Sequence, residues 1–210
     1  MAVFSDGFSL DAAEAVAEAS TESTGRIRRL APPHQVADLI GSLVEKSLIR
    51  HERGGPDRGR FRMLETIRAF AAEKLADSPD EAIACAAHAC WIVALAERAV
   101  SLPLMPTRPE NLQMLDMELS NVRVALEWWE AEGDSAGYSQ LVSALGWYWW
   151  SRGLWDEAMP WLTAAWGRAF HAIGGPDVAP LAHWYGITLV GYAGDLDKAE
   201  CVVRAGLANA

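Results

Sequence analysis

Several things are scarce in this 210-residue chain. No apolar run approaches the roughly 18 residues needed to cross a bilayer, so membrane insertion is not expected. The opening MAVFSDGF has neither the basic flank nor the apolar core of a signal peptide. Cysteine occurs only at Cys85, Cys90 and Cys201, too few for a disulfide framework in a chain of this length. A reducing cytoplasm is the simplest reading. Catalytic signatures are missing too: there is no G-x-S-x-G and no H-E-x-x-H. The nearest approach to a phosphate-binding loop, Gly41 to Ser47, carries Glu45 where that loop needs glycine, and a carboxylate there opposes phosphate. Cys85, His88 and Cys90 do not share one helix face, so they make no metal site and read instead as small buried residues. The chain by itself is not expected to be an enzyme, and no cofactor is expected in it.

Basic charge is also scarce, and unevenly so. Residues 1–79 carry 11 Lys+Arg against 12 Asp+Glu, whereas residues 80–210 carry 7 against 16. A polyanion would avoid the second part, so any nucleic-acid contact belongs to the first.

What the sequence does contain is organised around Val36–Leu75. Ser9 is placed to cap a short helix over Leu10–Ala19. Ser20–His34, with Gly25, Pro32 and Pro33, reads as a loop. Val36, Leu39, Ile40, Leu43 and Val44 then recur as one amphipathic stripe. Ser47–His51 and Arg60–Leu64 are strand-like around a tip of Gly54, Gly55, Pro56, Asp57 and Gly59. Leu64, Ile67, Phe70, Ala71 and Leu75 restore the helical period. Helix, strand, tip, strand, helix is the pattern of a winged helix. Val3, Phe4 and Phe8 read as the stub of an incomplete first helix, leaving apolar positions exposed.

The wing holds Arg50, Arg53, Arg58, Arg60 and Arg62 against Glu52 and Asp57, and these five arginines are the DNA-contact candidates. The preceding helix offers Asp38, Ser42, Glu45 and Lys46, with Gln35 alone suited to reading bases.

From Ser78–Pro79 onward the pattern is helical. A helix is expected to Val100, another to Glu132, and then Ser135–Arg152, Trp155–Ala172, Val178–Ala193 and Leu196–Asn209. The last four are two copies of one hairpin, with Gly153–Ala158 aligning on Gly194–Ala199 at an offset of 41. Leu145, Gly146, Trp149, Gly153, Trp155, Ala158, Leu162 and Ala165 have the spacings of a tetratricopeptide repeat, and Gly194 and Ala199 keep part of it. The second copy has one inserted residue in its first helix. Nine of ten tryptophans lie between Trp128 and Trp184, read as inter-helix packing. The expected fold is mainly α: a truncated winged helix with a β-hairpin wing over 1–78, a bridging region over 79–133 and tetratricopeptide-like hairpins over 134–210.

Three blocks, Val3–Val16, Leu43–Ile49 and Arg60–Ala71, resemble the segment that follows the nucleotide-binding domain in large bacterial signal-transduction ATPases, the STAND-type regulators of the AfsR/SARP and LuxR groups. Glu118–Leu126 resembles their linker helix. The resemblance implies a winged helix that closes over an ATPase core, with ATP or ADP bound only in the full-length architecture. Helical repeats would then engage a protein partner or effector. Related switches place a Met-His-Asp motif, whose histidine meets the ADP phosphate, where Met63-Leu64-Glu65 stand here. Two other functions remain open at this stage: a free-standing DNA-binding regulator and an effector-binding or peptide-binding repeat protein.

Overall fold

Ser9 does begin the first helix, accepting the Ala12 amide at 3.1 Å. The computed structural model describes residues 1–18, 20–23, 26–29, 31–52, 59–99, 109–133, 135–171 and 178–208. Helix α1 spans Leu10–Glu18 and buries Ala12, Ala13, Val16 and Ala17. The stretch read as a loop instead holds an antiparallel pair, β1 (Ser20–Ser23) and β2 (Arg26–Arg29). Four-residue strands are too short to show a period, and this is why no period was visible there. Helix α2 (Pro33–Glu45) starts with proline in its first turn, where the missing N–H costs nothing. Ser47, at φ 57, reverses the chain into the wing, β3 (Ile49–Glu52) and β4 (Arg60–Met63).

The wing is not a two-stranded island. Phe8 exchanges backbone hydrogen bonds with Phe61 at 2.9 and 2.8 Å, so the N-terminal stretch pairs alongside β4. This overturns the expectation of exposed apolar positions at the start. Phe4 and Phe8 are fully buried and Val3 is partly buried, in one core with α1, Val36, Ile40 and Ile49. Phe4 also lies edge-on to His88 and Trp91, with ring centres 5.1 and 6.1 Å away.

Three apolar positions of the helical stripes, Leu39, Leu64 and Phe70, lie outside the core. Leu39 of α2 is exposed, because the stripe turns its edge rather than its centre through that residue. Helix α3 (Glu65–Ala76) buries no residue fully, and Phe70 is exposed. The inner side of α3 borders an apolar groove of ≈ 490 Å³ that includes Val16, Leu43, Met63 and Leu75.

Helix α4 (Glu81–Ala99) departs from the expectation about apolar length: an 18-residue window within it has a mean hydropathy of 1.4, enough by length and composition alone to cross a membrane. Ala84, Ala89, Ile92, Val93, Leu95, Ala96 and Ala99 are buried within the fold, which accounts for that composition as a core helix. Helices α5 (Pro109–Glu132), α6 (Ser135–Arg152), α7 (Trp155–His171), α8 (Val178–Thr188) and α9 (Leu196–Ala208) follow.

Two compact units result: Met1–Ile92 with Met117–Ala125, and Val93–Asp116 with Leu126–Ala210. The first is the winged helix with pieces of α4 and α5; the second contains the two hairpins. In the second unit Leu145, Trp149, Ala158, Leu162 and Ala165 are fully buried and Trp155 is half-buried. Gly153 and Gly194 turn the hairpins at φ 66 and 68, conformations that a side chain would strain. A Cβ on Gly146 would meet the Trp184 ring at 2.1 Å, so α6 and α8 approach only because that residue is glycine.

Candidate interface on the winged helix

The wing register pairs Arg50 with Arg62, His51 with Phe61 and Glu52 with Arg60. Paired residues share a face, so Arg50, Glu52, Arg60 and Arg62 stand on one face of the hairpin, and His51 and Phe61 on the other. The His51 ring stacks on Phe61 at 5.0 Å, and Phe61 stacks in turn on Phe8.

Arg60 faces inward. It forms an ion pair with Glu118 of α5 and donates to the Gly7 and Met117 carbonyls at 3.1 and 3.2 Å. Glu118 is buried, and its second oxygen accepts Asn121 Nδ2 at 2.6 Å. Asn121, with no exposed surface, also donates to the Gly7 carbonyl at 2.9 Å and accepts the Ser5 amide at 2.8 Å. One cluster thus ties the N-terminal stretch, the wing and α5 together. A buried carboxylate is tolerable only with such a full set of donors. Arg60, one of the five DNA-contact candidates, is thus engaged by Glu118 and the Gly7 and Met117 carbonyls.

Arg62 is half exposed but pairs with Asp6 at 3.1 Å and with Glu52 at 3.2 Å, which offsets its charge where a phosphate would approach. Arg50 is exposed. Arg53 and Arg58, with the tip residues Gly54 to Asp57, lie outside the described residues. On α2 the exposed side chains include Gln35, Ala37, Asp38, Leu39 and Glu45, with Lys46 just past its end, while Ser42 is half-buried. Two acids and an apolar side chain sit where base readout calls for Arg, Lys, Asn or Gln.

At the start of α3, Met63 is half-buried, Leu64 is 41% exposed and Glu65 is exposed. Leu64 does not anchor the helix in the core, as expected from its period; it occupies the extended N-cap position and offers no capping side chain. Glu65 turns to Arg68 at 2.5 and 2.9 Å, and that guanidinium holds its carboxyl below the usual range.

His88 faces the same core as Phe4. Burial pulls its imidazole from 6.5 down to about 4, against an opposing hydrogen bond with Asn121, so it is neutral in the folded chain. Cys85 is half-buried and Cys90 exposed, so the reading of small buried residues holds for neither fully. Among the described residues, no three His, Cys, Asp or Glu side chains gather as metal ligands.

Glu118, Asn121, Asp6 and His88 were not among the candidate site residues. The signal available was the polar pair Glu118 and Asn121, spaced i, i+3 and flanked by Leu115, Val122 and Ala125, which are buried. Polar residues on an apolar stripe need partners, and here the partners come from the wing and the N-terminal stretch.

Residues 1–76 match the family model described as a winged helix-turn-helix domain. Over 164 residues, 78% of this chain, the sequence is 32% identical to "Putative HTH-type transcriptional regulator Mb0914c" of Mycobacterium bovis. It has the same identity over the same length to "Putative HTH-type transcriptional regulator Rv0890c" of Mycobacterium tuberculosis. The aligned stretch spans only 17% of each of these relatives. No solved structure matches the chain. The chain thus carries a winged helix-turn-helix domain followed by helices, and is homologous to proteins named as transcriptional regulators.

Proposed function

We propose that this chain is the regulatory and protein-interaction part of a bacterial transcriptional regulator, with its winged helix used for packing and coupling rather than for reading bases. The observation that carries this reading is the inward turn of Arg60 onto Glu118, whose other oxygen accepts Asn121. It converts the centre of the wing from a phosphate contact into a clamp on α5. The acids on α2 and the exposed Leu39 favour a protein surface over DNA. The division into winged helix (1–78), bridge (79–133) and tetratricopeptide-like hairpins (134–210) belongs to the same proposal, as does a cytoplasmic location.

Coupling to a nucleotide switch rests on the resemblance to STAND-type regulators and on the relatives' much greater length. In that arrangement ATP or ADP is held by a separate core. Leu64, having neither donor nor charge, would give the nucleotide no polar contact, so sensing there would run through packing.

A second reading, direct DNA binding, is favoured by the homology and by the exposed Arg50, with Arg53 and Arg58 nearby in sequence. Filter binding with a mixed-sequence duplex separates the two. The packing reading expects the wild-type chain and an Arg50→Ala/Arg53→Ala/Arg58→Ala variant to bind equally weakly. Tight binding that the variant loses supports the DNA reading.

A further inference from the structure

Tryptophan is concentrated in the second unit, and not all of it is buried. On α6, Trp147 and Trp150 are three residues apart, which puts them on one side of the helix, and their rings stack with centres 5.2 Å apart. Trp147 also meets Trp184 of α8 at 6.1 Å. Trp155, at the start of α7, stands at 87° to Trp150 with ring centres 6.5 Å apart, so these two rings form a right-angled corner. Trp150 is 45% exposed and Trp155 is half-buried, which leaves the corner open to water.

A carboxylate stands beside this corner. Asp156 follows Trp155 in the first turn of α7 and is exposed. A π-type turn over Leu189–Ala193 takes up the one residue by which the second hairpin exceeds the first. That turn carries Tyr192, which is 47% exposed and whose hydroxyl donates to Asp156 Oδ1. Residues 126–210 hold four Lys+Arg against ten Asp+Glu, and all four cations are engaged elsewhere. Arg152 pairs with Asp116, Arg168 with Glu130 and Arg204 with Glu200, while Lys198 lies over the Tyr185 ring.

We propose that the Trp150–Trp155 corner, with Asp156 and Tyr192 beside it, binds a small quaternary ammonium cation of the choline type. Indole faces attract a cation, and the carboxylate adds charge of the right sign. An apolar protein helix is a poorer cover, because laying it over Asp156 would take that charge out of water without a partner. A primary ammonium is poorer too: it needs acceptors for three N–H groups, and Asp156 already accepts Tyr192 at Oδ1. A zwitterion bearing its own carboxylate would be repelled by Asp156. The site lies wholly within the second unit and does not depend on how the winged helix is used.

The probes are tetramethylammonium and choline chlorides, titrated into the full chain at constant ionic strength with the indole N–H signals followed by NMR. Saturable binding with a dissociation constant of about 1–10 mM is expected from two rings and one solvated carboxylate. The neutral isostere 3,3-dimethylbutan-1-ol has the shape of choline without its charge and should bind about tenfold more weakly. Trp150→Leu should raise the choline dissociation constant about fivefold and Asp156→Asn about threefold. Both side chains are exposed, and the new amide oxygen can still accept Tyr192, so circular dichroism and melting temperature should stay as in the wild type. Absent saturation, equal binding of the neutral isostere, or unchanged affinity in either variant overturns the proposal.

Discussion

Replacing Glu118 by alanine tests whether the clamp beneath the wing is structural. The change removes the acceptor of Arg60 and one of two acceptors of Asn121 Nδ2. Arg60 keeps the Gly7 and Met117 carbonyls, so its charge is not left without partners. Breaking a buried ion pair by removing one member costs about 3–5 kcal/mol, and the retained carbonyls place this case near about 3 kcal/mol. With a urea dependence of about 2 kcal/mol per molar, the first unit should unfold about 1.5 M earlier. Because the chain has two units, hydrogen exchange at the Phe8 and Phe61 amides is the better readout, since those amides join the N-terminal stretch to the wing. Faster exchange there, by a factor corresponding to about 3 kcal/mol, is the expected result. Arg60→Met combined with Glu118→Leu should recover much of the loss, since an apolar pair needs no donors. A loss under about 1 kcal/mol for Glu118→Ala would refute the reasoning, because that is the scale of a solvated surface pair.

Gly146→Ala should destabilise the second unit by about 1–3 kcal/mol, because the new methyl meets the Trp184 ring in a packed contact; differential scanning calorimetry reads it. Protonation of His88 should weaken the first unit in acid: with the folded value near 4 and the unfolded value at 6.5, stability is full above pH 6.5 and falls as pH drops towards 4, by about 3 kcal/mol. His88→Gln should flatten that part of the pH profile in denaturant titrations. Leu64→Ser should change stability by no more than about 0.5 kcal/mol, since the side chain is exposed and makes no cap; a larger loss by thermal melting would return Leu64 to the core.

Elements whose residues repeat over two turns or more were legible in the sequence. The stripe of α2, the cap at Ser9 and the paired hairpins with their extra residue all have local causes. The π-type turn is where that extra residue goes. The β1–β2 pair was hidden by its shortness. The exposure of Leu39, Leu64 and Phe70 was hidden because a period gives the direction of a side chain without saying what stands opposite it. The clamp was the least legible part. Gly7, Arg60 and Glu118 are far apart in the chain, and an arginine within a basic wing looks like a phosphate contact until the fold supplies its carboxylate. The apolar length of α4 was underestimated because its many alanines between Ala82 and Ala99 are unobtrusive in sequence yet sum to a long apolar stretch, half of it buried.

The central claim is that the winged helix packs against protein rather than DNA, and the salt dependence of duplex binding tests it most directly. Between 50 and 200 mM salt, the account predicts only non-specific affinity, with dissociation constants of about 10⁻⁴–10⁻⁶ M or weaker at the upper concentration. Retained nanomolar binding at about 200 mM salt, with a steep dependence that falls by about one unit of slope on Arg50→Ala, would contradict it.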